Sequence, residues 1–382
     1  MSKLLVTIAI LFLPLSTGFA QIAKRRYPQL TARLQFDLGM FTEDRTNLAQ
    51  GGQLRKAYLG LKGKLEDLIQ EDISSNWSYK INYDLANNSI SAKDLWGRYR
   101  GDYGAVKFGT FKEPFGMENL MSSAGLLMME RSLPDALVTG RSLGVTYSSP
   151  HLWRMALDIG FFGEGVTDQR EDEDEGHAIT ARLTSILLSK EYGNPVDLHF
   201  GLSASRRAYS KEDNSFKLDS TPEIEVNGTK LVNSGAIKNV RSSVRLGHEL
   251  ALLFGNFALL GEYITIKTNR NLGQDYHFDG GSLSIGYTIC GIPRSYDRDD
   301  RKLSKVSAPQ GVDRLEVTIR YSWVDLNDQD IAGGRESNLG AGVNWSPNRL
   351  IRFSTNVIWA KVERDLLEEQ PMIYAARVQL DI

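Results

Sequence analysis

The chain carries one cysteine, Cys290, among 382 residues. A lone thiol cannot build an intramolecular disulfide framework, so its expected role is that of an inert apolar filler. Long hydrophobic runs are also missing. After Leu15 no apolar stretch reaches the roughly twenty residues that a membrane-spanning helix requires, and mean hydropathy is −0.30. Neither sign of charge dominates: 45 Lys and Arg stand against 47 Asp and Glu, a formal net charge of −2. That balance excludes a global pull on nucleic acid or on anionic surfaces. Several enzyme signatures are absent, with no Walker A, H-E-x-x-H or dinucleotide-binding glycine pattern. His151, His177, His199, His248 and His277 are too scattered for ligand spacing, so neither a metal nor a cofactor is expected. No Pro- or Ser-rich linker divides the sequence, which argues for one domain.

What is present begins with export. MSKLLVTIAILFLPLSTGFA combines a basic Lys3, an apolar run from Leu4 to Leu15 and small residues at Gly18 and Ala20. This three-part pattern predicts a cleaved signal peptide over residues 1–20, with residues 21–382 as the exported domain.

The dominant signal is a two-residue beat. In RKAYLGLKGKL (55–65), Lys56, Tyr58, Lys62 and Lys64 share one parity, and Ala57, Leu59, Leu61 and Leu65 share the other. A strand sends alternate side chains to opposite faces, so this segment has one basic, wettable face and one apolar face. TARLQFDLGM repeats the pattern, with Ala32, Leu34, Phe36, Leu38 and Met40 opposite Arg33, Gln35 and Asp37. RMALDIGF does so again with Met155, Leu157, Ile159 and Phe161. About sixteen such segments occur, near 30–40, 53–65, 76–86, 93–101, 104–111, 141–148, 153–162, 177–189, 195–208, 239–252, 255–268, 276–290, 312–326, 335–346, 349–362 and 372–382.

The connections alternate in length as well. GDYG, SSPH, EYGNP, FGN and SPNR are tight, whereas 41–52, 112–140, 163–176, 209–238 and 363–371 are long. An even number of strands with short turns on one side and long loops on the other predicts an all-β fold, a transmembrane antiparallel β-barrel. A soluble β-sandwich would alternate too, but one of this size would break into domains at linkers. Two connections depart from the rule. Residues 66–75 are rather long for a short-side turn, and 291–311 far too long. Aromatics near segment ends, such as Trp77, Tyr99, Tyr287, Trp345 and Trp359, suit interfacial girdles.

Several stretches resemble the phosphate-selective porin O and P family of Gram-negative outer membranes. They are RKAYLGLKGKL, WSYKINYDLA, VKFGTFKEPFGMENLMSSAGLLMMERSLPDAL with GRSLGV, IPRSYDRDDRKLSKVSAPQG, RLEVTIRYSWVDLND and GGRESNLGAGVNWSPNRLIRFSTNVIWAKV. FKEPF followed by MERSLP is the most specific piece. The resemblance implies a homotrimer of sixteen-stranded barrels, each narrowed by inward-folded segments lined with Arg and Lys. It also implies that a long periplasmic turn tucks into the barrel, which would account for 291–311. Implied partners are phosphate or other small anions, outer-membrane lipid and lipopolysaccharide, with no nucleic acid. The chain departs from the family in carrying RK at 55–56 where RR is usual, and in ending on Ile382 rather than an aromatic.

Residues 112–140 are the expected constriction: Lys112 and Glu113, then Pro114, a Met- and Leu-rich stretch, and finally Glu130, Arg131, Pro134 and Arg141. Two readings stand for this loop. Its arginines line the pore, or Glu130 pairs with Arg131 or Arg141 and pins the loop. With the scattered basic positions elsewhere, the expected anion-binding lining is Arg33, Lys56, Lys62, Lys112, Arg131, Arg141, Arg241 and Arg245. Arg206 and Arg207 are further scattered candidates, and Arg55 falls on the apolar parity at the start of its strand. EDEDE at 171–175 reads as a solvated loop tip, or as a site for divalent cations or lipopolysaccharide. The expected function is passive diffusion of small hydrophilic solutes, favouring anions such as phosphate. The alternatives are a general or non-phosphate pore for organic acids or oligosaccharides, and a secreted β-rich binding or adhesion protein.

Overall fold

The computed structural model describes residues 27–42, 45–69, 76–86, 89–163, 176–190, 196–209, 217–226, 228–306, 308, 311–364 and 367–382. The leader expected over 1–20 and the EDEDE run lie outside the described residues. Sixteen long strands form one sheet: β1 (Gln29–Phe41), β2 (Gly51–Lys64), β3 (Trp77–Asp84), β4 (Ser91–Gly101), β5 (Gly104–Lys112), β6 (Arg141–Ser148), β7 (Met155–Phe162) and β8 (His177–Lys190) make the first half. The second half is β9 (Val196–Ala208), β10 (Val240–Phe254), β11 (Phe257–Arg270), β12 (Tyr276–Cys290), β13 (Arg314–Asp328), β14 (Ile331–Ser346), β15 (Ile351–Arg364) and β16 (Met372–Asp381). Each strand pairs with the next, and β16 returns to β1 in register from Arg33↔Asp381 to Phe41↔Ile373. The ring is therefore closed and antiparallel, with no open edge for lipid to meet. The predicted segments 141–148 and 276–290 coincide with β6 and β12, and most others shift by one or two residues at their ends.

The beat sets the two faces. In β1, Phe36, Leu38 and Met40 are exposed on the outside, while Gln35 and Asp37 are buried inside, at 0% and 1% exposure. The same division holds for Met155, Leu157, Ile159 and Phe161 of β7 and for Val317, Ile319 and Tyr321 of β13, all exposed outward. Lipid solvates such a face, and water or protein fills the other.

The inward face is not polar throughout. Towards the long-loop rim, the inward residues Ile264, Ile266, Phe278, Val324, Leu326, Ile358, Val362 and Ile373 are buried with Phe115, Leu133, Leu137, Leu218, Ile224 and Leu231. Each such side chain contributes about 1.5–3 kcal/mol by leaving water. This sector of the barrel is a packed core on which residues 113–140, 217–226 and 228–238 are seated.

Within the long connection after β12, residues 291–306 leave the short-turn rim and fold inward, as the resemblance implied. Leu303 packs with Met117, Met121, Leu126 and Leu127 of the loop that enters from the opposite rim. Tyr296 reaches His199 of β9, Oη to Nδ1 at 2.8 Å. Cys290 sits exposed at the end of β12 rather than filling a core.

Candidate functional site: the lumen and its constriction

Residues 113–140 cross the interior between the ends of β5 and β6. They contain one helical turn, Met117–Leu120, and one 3-10 turn, Leu133–Leu137. The remainder is irregular, so its carbonyls need partners from outside the loop. Wall arginines supply them. Arg352 donates to the carbonyl oxygens of Ala124 at 2.7 Å and Leu126 at 3.0 Å, Arg320 to that of Glu130 at 2.9 Å, and Arg377 to that of Met129 at 2.5 Å. Arg294, from the tucked segment, donates to Gly125 at 2.5 Å and Leu126 at 3.1 Å.

The same guanidinium groups hold buried acids. Arg320 Nη2 lies 2.6 Å from Glu118 Oε1, Arg377 bridges Asp37 and Glu130, and Arg207 pairs with Glu113. Arg182 meets Glu249 at 2.7 Å, and Arg294 meets Glu316 at 2.7 Å. The planar fork suits both tasks, since one edge takes a carboxylate while the other reaches backbone. Sequence reasoning missed Arg182, Arg314, Arg320, Arg352 and Arg377. They are dispersed over four strands, and the partners of most are remote in sequence: Glu118 precedes Arg320 by 202 positions.

Arg55 and Lys56 both face the lumen, although neighbours on a strand should point apart. The β1–β2 register explains this: Gln35 opposes Lys56 and Phe36 opposes Leu54, so Arg55 is an unopposed extra residue. Such a bulge lets consecutive side chains turn to one side. Arg55 donates from Nε to Glu130 Oε1 at 3.0 Å and from Nη2 to Oε2 at 3.2 Å. Glu130 thus pairs with Arg55 and Arg377, not with Arg131 or Arg141.

The loop leaves a cavity of about 610 Å³ beside β1–β6, bordered by eleven Lys and Arg and by three Asp. Arg33, Lys56, Lys62, Lys112, Arg131 and Arg141 border it. Arg241 is exposed away from this space, and Arg245 is buried behind the loop, donating to the Leu137 carbonyl at 2.9 Å. Arg33 donates to Ser122 and Ser123 at 3.1 and 3.2 Å and pairs with Asp381 at 3.2 Å. Arg141 and Lys80 share Asp94, at 2.9 and 2.6 Å. Lys112 and Arg131 donate to loop carbonyls, both reaching Met121 O, at 3.2 and 3.0 Å. Lys56, Lys62, Lys107 and Lys112 have no carboxylate within 4.0 Å among the described residues.

Arg131 also borders a second cavity of about 240 Å³ on the long-loop side, whose rim carries five acids and three cations. Burial, with Glu118 and Glu130 adding to it, pushes the Asp135 carboxyl up, and burial also raises Glu223. Asp300, from the tucked segment, behaves in the opposite way. Burial pushes it up, but Lys302, Arg98 and Lys107 outweigh that and hold it at about 2. It therefore remains an anion among the cavity's cations.

Comparison with known proteins agrees with this architecture. A solved anion-selective porin from Comamonas acidovorans matches at TM-score 0.57 and 14% identity, covering 93% of this chain and 99% of that one. The trimer form of OmpT, an outer membrane protein of Vibrio cholerae, matches at TM-score 0.56 and 11% identity, with 93% and 99% covered. OprB of Pseudomonas putida matches at TM-score 0.56 and 10% identity, with 94% of each chain covered. These likenesses concern the fold. In sequence, an uncharacterized protein of Caulobacter vibrioides is 24% identical over 339 residues, covering 85% of this chain and 66% of that protein's length. The family model "Phosphate-selective porin O and P" matches residues 29–382, nearly the whole of the barrel-forming sequence. The chain belongs to the phosphate-selective porin O and P family, and its fold is that of an outer-membrane porin.

Proposed function

We propose that the protein is a passive pore that favours small anions, phosphate among them, through its lysine- and arginine-bordered constriction. The single observation that carries this reading is the excess of eleven cations over three aspartates around the 610 Å³ cavity. Clustered positive charge in a narrow, partly desolvated space lowers the entry barrier for anions and raises it for cations. The arginines there, and Lys112, are largely engaged with acids, serines or carbonyls, so the mobile contribution comes from Lys56, Lys62 and Lys107. An ammonium group is a compact point charge and suits transient contact, whereas a free guanidinium fork would hold an oxyanion bidentately. Several modest sites in series permit exit as well as entry. Arg33, Arg131 and Arg141 keep these lysines and the loop in position. Arg241 and Arg245 are assigned no part in the lining. The porin from Comamonas acidovorans, similar in fold, is anion-selective, which supports the same direction. Assembly as a homotrimer, contact with lipopolysaccharide and cleavage of the leader belong to this reading too.

The test is a planar bilayer holding the purified protein between unequal KCl solutions. Chloride-preferring reversal potentials, with chloride current reduced by added inorganic phosphate, support the proposal. Potassium preference removes the anion reading, and the absence of phosphate block removes phosphate from the solutes.

A further inference from the structure

The same cavity has an apolar wall that a pore for bare inorganic ions does not need. Tyr58, Trp96 and Phe111 border it from strands β2, β4 and β5, and Leu120 and Met121 border it from the loop. Trp96 is half-buried against the pair Phe111 and Phe162. Following the ladder sideways, Lys62 opposes Lys80, Lys80 opposes Trp96, Trp96 opposes Gly109, and Gly109 opposes Gly144. One level of the wall thus runs from two ammonium groups, through an indole, to two positions without side chains. Gly109 has φ +118°, and a Cβ there would lie 2.1 Å from the Leu95 carbonyl oxygen and 2.9 Å from Trp96 Cα, so the strands approach too closely for a side chain at that position.

Cations flank the ring. Arg98 Cζ lies 5.6 Å and Lys107 Nζ 5.9 Å from the Trp96 ring centroid, and Lys107 stands 4.1 Å above Phe111. Lys107 has aromatic rather than carboxylate partners among the described residues, so its charge is available to a solute. A solute that places a carboxylate or phosphate between Lys80, Arg98 and Lys107 brings its attached carbon skeleton against the indole.

We infer that this wall selects organic anions with a planar apolar part, the class of aromatic carboxylates and aryl phosphates, over equally charged ions without a ring. The inference rests on the anion-favouring reading above and names the solute class for the same cavity. Stacking on Trp96 supplies an attraction that inorganic phosphate and acetate lack, and it adds to the charge contact.

The experiment uses the full-length protein in planar bilayers, with block of chloride current by benzoate, acetate and pivalate as probes. Benzoate is expected to block at about fivefold lower concentration than acetate, the size of one aromatic stacking pair. Pivalate, bulky but not planar, should stay near acetate. Trp96→Ala should bring benzoate to within about twofold of acetate, and Trp96→Phe, which keeps a ring, should retain most of the preference. Equal block by benzoate and acetate in the wild type overturns the inference, as does equal block by benzoate and pivalate. A benzoate preference that survives in Trp96→Ala overturns the assignment to this wall. The sign of the reversal potential in the same membranes tests the underlying anion reading separately. A chloride-preferring pore without benzoate preference sinks only the inference, and a potassium-preferring pore sinks both.

Discussion

Arg377 and Asp37 face each other across the seam where the barrel closes, Nε to Oδ1 at 2.7 Å and Nη2 to Oδ2 at 2.6 Å. The same guanidinium also holds Glu130 and the Met129 carbonyl of the constriction loop. One side chain therefore ties the first strand, the last strand and the loop together. Arg377→Ala leaves two buried carboxylates without this partner, a change that costs about 3–5 kcal/mol. The expected outcome is a lowered urea midpoint for unfolding from detergent micelles, followed by gel mobility. In bilayers the same variant should show noisier current. An unchanged midpoint would mean that the seam does not depend on this contact.

Lys56 offers the contrasting case. It is buried to 6% exposure at the bulge, with no carboxylate within 4.0 Å among the described residues. Lys56→Ala should lower the chloride-over-potassium permeability ratio about fivefold, the effect of about 1 kcal/mol from one charge acting at close range through water. Because no buried acid loses a partner, stability should change little. A shift in reversal potential towards potassium, at a wild-type unfolding midpoint, is the signature to measure.

Asp300 is an acid among the lining cations, held at about 2 by Lys302, Arg98 and Lys107 against the opposing effect of burial. Asp300→Asn should increase anion preference at neutral pH. Its folded value is depressed, so its pairing stabilises the protein above the unfolded carboxyl value of about 3.9 and is lost as pH falls through about 2. The difference in reversal potential between wild type and Asp300→Asn should therefore stay constant from pH 7 to about 4. It should close only as the pH approaches 2. A difference that vanishes near pH 4 would show that the cations do not hold this carboxyl.

Ile319 of β13 is 48% exposed on the outer face. Ile319→Arg is expected to cost about 2–4 kcal/mol if the residue sits near the membrane midplane. Folding into lipid vesicles against urea measures it. Tolerance of arginine there would place the hydrocarbon elsewhere.

The sixteen strands were legible because a half-lipid, half-lumen strand writes its faces into successive residues, as Phe36, Leu38 and Met40 do against Gln35 and Asp37. The loop at 113–140 was legible from its length and from Lys112 and Arg131. Three features were not. The bulge at Arg55 needs the partner strand, since only the skipped register with Gln35 and Phe36 shows two basic neighbours turning inward. The clamping arginines were hidden because pairs such as Arg320 and Glu118 meet only after the chain has closed. The apolar core inside the barrel was hidden because Ile264, Val324 and Ile358 look the same in sequence whether they face lipid or a seated loop. Gly109 and Gly144 continue the level of Lys62, Lys80 and Trp96 across the wall, and that relation also requires the ladder.

The central claim is that a basic lumen, rather than the nearly neutral whole chain, sets the choice of ion. The most direct measurement is the zero-current potential of purified protein in a planar bilayer separating concentrated from dilute KCl. The account predicts the sign set by chloride, reduced in Lys56→Ala; a wild-type potential with the sign set by potassium would contradict it.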